Sequence, residues 1–116
     1  MMLRELADIL QAEELCNTKG DNVQIEIACG CDLMSDVLRH AKAQCLLLTG
    51  LTTPQTVYTA EMADIKAICY VRGKRPQQDV INLAKSKGII LLATTLPMFE
   101  SCGKLYKHGI KGCSEV

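Results

Sequence analysis

Three short apolar runs, each followed by a turn and then by a helix-like segment, most constrain the fold of this chain. The runs cover residues 45–49, 65–71 and 89–93. Apolar stretches of this length are typical of strands buried on both faces of a parallel sheet. Strands that alternate with helices over short connections form right-handed βαβ crossovers. We therefore expect an α/β fold in three layers, α/β/α, with a mainly parallel sheet of four to five strands.

Helical spacing of apolar residues predicts five helices around this sheet. They are expected at residues 2–10, 33–41, 54–63, 76–87 and 97–109. Asp32, Thr53 and the Thr94-Thr95 pair are expected to cap helix starts, and Gly88 to end the fourth helix. The apolar residues expected on the second and last helices are Leu33, Met34, Val37 and Leu38, and Met98, Phe99, Cys102, Leu105 and Tyr106.

Three other segments complete the predicted organisation. Residues 13–16 either extend the first helix or form a short edge strand, and residues 17–22 are expected as a loop. Residues 23–29 alternate apolar and polar side chains, as in a strand with one wetter face. Because 116 residues provide for one core, we expect a single domain over residues 1–110 and a flexible tail over 111–116.

Composition excludes several classes of partner. Lys plus Arg and Asp plus Glu number 13 each, so no net field attracts nucleic acid or an anionic membrane. No apolar run approaches the ~20 residues that span a bilayer. Seven cysteines, an odd number with no secretory signal before them, indicate reduced thiols and a cytoplasmic protein. The positive mean hydropathy indicates apolar surface covered by a second subunit, and we expect a homodimer.

Polar and basic residues follow the predicted strands, where the strands' carboxyl ends meet at one edge of the sheet. Ligands of open parallel sheets bind beyond this edge. Hydroxyls, backbone amides at helix starts and basic side chains suit a phosphate there. The alternative is ordinary helix capping beside a solvated basic turn, since the chain has no phosphate-loop or dinucleotide glycine motif. The candidate ligand residues are Thr49, Gly50, Thr52, Thr53, Arg72, Gly73, Lys74, Arg75, Thr94 and Thr95.

Cys29 and Cys31 form a Cys-x-Cys pair at the end of the strand predicted at 23–29. Such a pair binds a metal ion or an iron–sulfur cluster when two more ligands come from elsewhere. This gives an alternative function, a cysteine-dependent redox or metal accessory protein. The competing interpretation is that thiols fill the core as small apolar groups, as we expect for Cys45, Cys69 and Cys102.

Three segments of the chain resemble the DRTGG domains. Residues 32–37, Asp-Leu-Met-Ser-Asp-Val, are similar to the Asp-Leu-Leu-Ser-Asp-Val signature of that family. Residues 72–76, Arg-Gly-Lys-Arg-Pro, resemble its turn from a strand into a helix, and residues 103–106, Gly-Lys-Leu-Tyr, resemble its last helix. The resemblance covers residues 2–110. Glu26, Ile27 and Ala28 stand where the family has Thr-Gly-Gly, so the glycines that name the family are absent.

The resemblance implies regulation rather than catalysis. DRTGG domains accompany CBS pairs in regulated pyrophosphatases, precede the catalytic part of phosphotransacetylases and are related to the N-terminal domain of HPr kinase/phosphorylase. An adenine nucleotide is the implied ligand, and the matching signature adds Asp32 and Ser35 to the candidate ligand residues. Stand-alone members tend to be encoded near iron-only hydrogenase genes, which implies a protein partner in a redox or hydrogenase system of an anaerobe.

The sequence offers no activated nucleophile, since Ser35 has no histidine within motif distance. We therefore expect no enzymatic activity and no bound cofactor other than a sensed nucleotide. The expected function is a regulatory or scaffolding domain that senses an adenine nucleotide and acts through homodimerisation.

Overall fold

The computed structural model describes residues 1–17 and 23–115, so the loop predicted at 17–22 lies almost wholly outside the described residues. Helices and strands alternate along most of the chain. They are α1 Leu3–Leu10, β1 Glu13–Cys16, β2 Ile27–Gly30, α2 Met34–His40, β3 Leu46–Thr49, α3 Pro54–Ala63, β4 Ala67–Tyr70, α4 Gln78–Lys87, β5 Ile90–Ala93, α5 Met98–Lys107 and β6 Lys111–Gly112. A 3-10 turn, Cys113–Glu115, follows β6. None of the described helices is long and apolar enough to cross a membrane.

The strands form one six-stranded sheet in the order β1-β5-β4-β3-β2-β6. All neighbouring pairs from β5 to β6 in this order are parallel, and only β1 is antiparallel, at the edge beside β5. The predicted three-layer α/β fold with a mainly parallel sheet is confirmed, with one strand more than expected. Residues 13–16 follow the edge-strand alternative. The additional strand is β6, which pairs with β2. It lies in the segment predicted as a flexible tail.

The helices divide between the two faces of the sheet because the chain changes direction once. From β2 to β5 each strand is added on the same side, so right-handed crossovers place α2, α3 and α4 on one face. α5 then carries the chain from β5 back to β6 across the other face, where α1 also packs. Each face has its own core, with Val57 and Val80 in the first and Leu6 and Leu105 in the second.

The strand predicted at 23–29 begins later than expected. Its first residues bond to the N-terminus, since Leu3 N donates to Val23 O at 2.7 Å and Ile25 N donates to Met1 O at 2.7 Å. These bonds satisfy the backbone groups that a longer β2 would have offered to a neighbouring strand. The segment therefore tethers α1 to the sheet instead of extending β2.

The structure tests three of the predicted helix caps, at Asp32, Thr53 and Gly88. Gly88 ends α4 in a left-handed conformation and Thr53 precedes Pro54 at the start of α3, both as predicted, so the position of only one cap, Asp32, is corrected here. Asp32 does not cap α2, because Leu33 occupies the N-cap position and the Asp32 carboxylate bonds to the end of β3 instead. Thr53 holds the N-cap position of α3, but its side chain makes no capping hydrogen bond.

Four apolar side chains that the sequence places on inner helix faces are exposed. Leu33 and Leu38 beside and on α2 are 58% and 44% exposed, and Phe99 and Tyr106 on α5 are 84% and 65% exposed. Seven residues apart, Phe99 and Tyr106 lie on one side of α5 while Leu105 enters the core. The last helix therefore presents an aromatic outer face.

Candidate functional site

The described strands have a topological switch between β4 and β5. The chain leaves β4 toward α4 on one face of the sheet and leaves β5 toward α5 on the other. Ligands of parallel sheets bind beyond the carboxyl ends of such strands, where the outgoing loops diverge. Here two backbone hydrogen bonds bridge the loops, from Arg72 N to Leu96 O at 2.8 Å and from Gly73 N to Thr94 O at 3.0 Å. A cavity lies on each side of this bridge.

The larger cavity, here called the Arg72 cavity, has a volume of about 330 Å³. The side chains of Arg72 and Lys74 are exposed at it, and neither forms a salt bridge with another described residue. These two cations outnumber Asp32, the one carboxylate of the lining, and the net positive charge suits an anion. The residues that line the Arg72 cavity are Asp32, Gly50, Leu51, Val71, Arg72, Lys74 and Met98.

The backbone of Arg72 is left-handed, with φ of 59°. Gln11 and Asp64 share this conformation, but they end helices, where it is common. Gln44 lies in the turn before β3, whereas Arg72 is followed by Gly73 in the same conformation at the end of β4. A left-handed residue with a Cβ costs roughly 1–2 kcal/mol, and such residues cluster at ligand sites. Backbone conformation therefore distinguishes Arg72 independently of its charge.

Asp32 supplies the carboxylate of the Arg72 cavity. Its Oδ1 accepts hydrogen bonds from Thr49 Oγ1 at 2.9 Å and from Gly50 N at 2.7 Å. These bonds connect the segment after β2 to the end of β3. Its Oδ2 accepts none from the described residues, so one oxygen remains available to a hydroxyl or amine donor.

The smaller cavity, here called the Arg75 cavity, has a volume of about 160 Å³. Arg75 donates two hydrogen bonds to the Glu13 carboxylate, from Nη1 to Oε1 at 3.2 Å and from Nη2 to Oε2 at 3.0 Å. Hydrogen bonding and the charge of Arg75 hold the pKa of Glu13 below its usual value. The charge of Arg75 is thus already balanced. The residues that line the Arg75 cavity are Gln11, Glu13, Gly73, Arg75, Ala93, Thr94 and Thr95.

Thr49 and Thr94 are buried, and their hydroxyls bond within the protein. Thr49 Oγ1 accepts a hydrogen bond from Leu51 N at 3.1 Å in addition to donating to the Asp32 carboxylate. Thr94 Oγ1 donates to Leu10 O at 2.5 Å and accepts from Leu96 N at 3.2 Å. Both hydroxyls shape the turns after β3 and β5. Thr94 therefore does not cap α5, which starts only at residue 98.

The structure brings some candidate ligand residues together and separates others. Asp32, Gly50, Arg72 and Lys74 meet at the Arg72 cavity, and Gly73, Arg75, Thr94 and Thr95 at the Arg75 cavity. Ser35, Thr52 and Thr53 line neither of the two. Glu13, Leu51 and Met98 also line these cavities, although no sequence pattern marks them as site residues. Glu13 becomes visible only through the pairing of β1 with β5, and Met98 through the placement of α5.

The Cys29-x-Cys31 pair does not assemble a metal site in the described part of the chain. No group of three or more His, Cys, Asp or Glu side chains among the described residues is arranged to hold a metal ion. Burial, with the neighbouring Cys113 thiol, raises the pKa of Cys29 to about 11, so this thiol is protonated at neutral pH. Cys45 and Cys69 are fully buried and fill the two cores, as predicted.

No protein-family model matches the chain, and no curated protein matches it. A solved structure with the same fold is the crystal structure of the CBS and DRTGG domains of the regulatory region of Clostridium perfringens pyrophosphatase, complexed with activator, diadenosine tetraphosphate. The TM-score is 0.73 and the sequence identity 14%, over 89% of this chain and 45% of that one. This chain thus spans about half of that chain. The likeness shows the fold and supports the DRTGG-like domain predicted from the sequence.

Proposed function

We propose that this domain is a non-catalytic regulatory module that binds an adenine nucleotide, with the phosphates in the Arg72 cavity. The observation that carries the proposal is the pair of cations beside the β4–β5 switch, Arg72 and Lys74, neither of which forms a salt bridge with a described residue. A protein of the same fold is a regulatory region whose activator is diadenosine tetraphosphate. That ligand carries the two chemical groups, phosphate and adenine, that the cavity walls suit.

The lining of the Arg72 cavity can be matched to the parts of a nucleotide. The guanidinium of Arg72 and the ammonium of Lys74 bind phosphate oxygens, the first in a two-pronged geometry. The unbonded Oδ2 of Asp32 accepts a ribose hydroxyl or an exocyclic amine. Leu51 and Met98 offer apolar surface for a base. The volume of about 330 Å³ falls within the range of small-molecule pockets.

Thermal unfolding of the reduced protein against a nucleotide panel tests the proposal. The panel contains AMP, ADP, ATP, diadenosine tetraphosphate, GTP and inorganic phosphate. A ligand at ~100 times its Kd adds roughly 2.7 kcal/mol to the free energy of unfolding, which raises Tm by about 10 °C or more. We expect the shift with an adenine nucleotide and a smaller one with GTP. If no compound changes Tm, the sensing function is wrong and the domain acts by protein contacts alone.

We propose that the exposed face of α5 joins two copies of the chain. Phe99 and Tyr106 on this face are 84% and 65% exposed. Glu100 lies in the first turn of α5 and Lys107 in the last, so two antiparallel copies of the helix bring opposite charges together. In such a dimer each copy contributes the same face of α5. The aromatic side chains then lie at the centre of the contact, and the oppositely charged residues pair at its ends.

Sedimentation at several concentrations tests this interface. The wild-type protein is expected to dimerise, and Phe99→Glu to shift the equilibrium to the monomer by at least about tenfold, since it places a charge in the apolar contact. Met62→Glu, at an exposed methionine on α3, is the matched control and leaves the dimer intact. A dimer that survives Phe99→Glu but not Met62→Glu would move the interface to the opposite face of the sheet.

The cytoplasmic location and the hydrogenase-linked partner stay predictions of the sequence.

A further inference from the structure

Two cysteines meet at the sheet edge formed by β2 and β6. These strands are parallel, with Ile27 opposite Lys111 and Ala28 opposite Gly112. Cys29 and Cys113 come directly after these pairs, Cys29 still in β2 and Cys113 as the first residue of the 3-10 turn. Strand spacing of about 4.8 Å lies within the Cα separation that a disulfide bridges.

The surroundings of the two thiols also place them close to each other. Cys29 and Cys113 are both half-buried and pack against the same hydrophobic core, on the face of α2, α3 and α4. Cys113 Sγ lies 3.8 Å from Ala28 O, the carbonyl just before Cys29. Burial is the main cause of the raised pKa values of Cys29 and Cys45, and the neighbouring Cys113 thiol contributes to both. Cys45 is fully buried, whereas Cys29 and Cys113 retain solvent contact.

We propose that Cys29 and Cys113 form a reversible disulfide that fastens β6 to β2 under oxidising conditions. The oxidant is a low-molecular-weight disulfide. The Cys113 thiolate attacks one sulfur of the oxidant and releases the other as a thiol. Cys29, after losing its proton, attacks the Cys113 sulfur of the mixed disulfide and releases the second thiol. The protein loses two protons and two electrons, and the oxidant gains both and becomes two thiols.

The disulfide has a structural consequence at both ends of the bond. β6 is only two residues long and pairs with nothing but β2 among the described strands, so it depends on few hydrogen bonds. A covalent link across residues 29–113 restricts the unfolded chain and holds this edge in place. β2 runs directly into Asp32 of the Arg72 cavity, so the link also restrains one wall of that cavity.

Oxidation of the wild-type protein with oxidised glutathione, followed by peptide mapping without reductant, tests the proposal. We expect one cross-link between the peptides of Cys29 and Cys113 and two fewer alkylatable thiols after denaturation. The reaction is expected to be faster at pH 9 than at pH 7, because burial keeps Cys29 protonated at neutral pH. Oxidised protein is expected to unfold at a Tm higher by about 5 °C or more, and reductant is expected to reverse the shift.

Matched variants locate the bond. Cys29→Ser and Cys113→Ser are each expected to abolish the cross-link and the Tm shift, whereas Cys102→Ser, at a half-buried thiol on the other face, keeps both. The wild-type peptide map decides the question even if a variant fails to fold. A cross-link from Cys113 to Cys31 or Cys45, a stable glutathione adduct without an internal bond, or no oxidation at all would overturn the proposal. Nucleotide binding by the reduced protein is independent of these outcomes.

Discussion

The two cavities beside the β4–β5 switch contain arginines from the same turn, but only one of these arginines is without an ion-pair partner among the described residues. Arg72 has no ion-pair partner among the described residues, while Arg75, three residues later, is paired with Glu13 by two hydrogen bonds. The difference comes from β1, which pairs with the edge of β5 and brings Glu13 to the Arg75 cavity. A basic turn in a sequence therefore overstates the charge that a ligand meets, because part of it is balanced across the sheet.

Removal of the two cations that form no salt bridge, Arg72 and Lys74, is expected to have the largest effect on nucleotide affinity. We expect Arg72→Ala combined with Lys74→Ala to weaken adenine-nucleotide binding by at least about 100-fold, since each charge-assisted hydrogen bond contributes roughly 1.5–3 kcal/mol. Arg75→Ala is the matched control from the same turn, and we expect its affinity to stay within about threefold of wild type. Isothermal titration calorimetry on the three proteins measures both values. An equal loss in both variants would mean that the ligand spans the two cavities.

Sequence alone could locate the Arg72 cavity but could not separate the two arginines. The carboxyl edge follows from strand and helix order, so Gly50 and Arg72 could be placed at this edge from their positions after apolar runs. Glu13 was not, because its contact with Arg75 joins residues 62 positions apart through an antiparallel edge strand whose signal was ambiguous. Asp32 looked like a helix cap, since an acid before a helix satisfies the usual pattern. Its actual bonds to the end of β3 depend on the parallel pairing of β2 with β3.

Gly30→Ala tests whether the wall of the Arg72 cavity depends on the close packing of α5. A Cβ at this position would lie 2.8 Å from Cys102 Sγ and 3.1 Å from Met98 Sδ. We expect the crowding to lower the free energy of unfolding by about 1–3 kcal/mol and, by displacing Met98, to weaken binding at the Arg72 cavity. Chemical denaturation measures the loss in stability.

Two further variants, a rescue and a control, test whether crowding by α5 causes the loss of stability in Gly30→Ala. Cys102→Ala in the Gly30→Ala background removes the closest atom, so we expect it to restore much of the stability. Gly103→Ala, where the added Cβ meets nothing within 4 Å, is expected to be stabilising by roughly 0.5–1 kcal/mol as in other helices. If Gly30→Ala were as harmless as Gly103→Ala, α5 would lie farther from β2 than the structure indicates.

Arg72 and Arg75 are also expected to differ in how they tolerate glycine. Because Arg72 has φ of 59°, Arg72→Gly relieves backbone strain that Arg72→Ala retains. We expect the glycine variant to be more stable than the alanine variant by about 0.5–1 kcal/mol, although both lose the ligand. Arg75 has no positive φ, so there the order reverses and Arg75→Gly is the less stable. Thermal unfolding of the four variants without ligand shows whether the backbone strain is confined to Arg72.

The smallest effect is expected from Glu13→Gln, which removes the ion-pair partner of Arg75. The pKa of Glu13 is lowered from 4.5 in the folded state, so its pairing with Arg75 stabilises the fold above that pH and is lost as pH falls through the lowered pKa. At pH 7 we expect a slightly lower Tm than wild type, with the difference shrinking as pH falls below 4.5 and in 1 M salt. Glu14→Gln on the same strand is the control, because Glu14 forms no salt bridge with a described residue, and we expect its Tm at pH 7 to match that of wild type. Inorganic phosphate should then bind Glu13→Gln more tightly than wild type, because Arg75 without its counter-ion becomes a second open cation. If phosphate binding is unchanged while Arg72→Ala still abolishes nucleotide binding, an unpaired arginine is not enough, and the larger volume and strained turn of the Arg72 cavity decide where the anion binds.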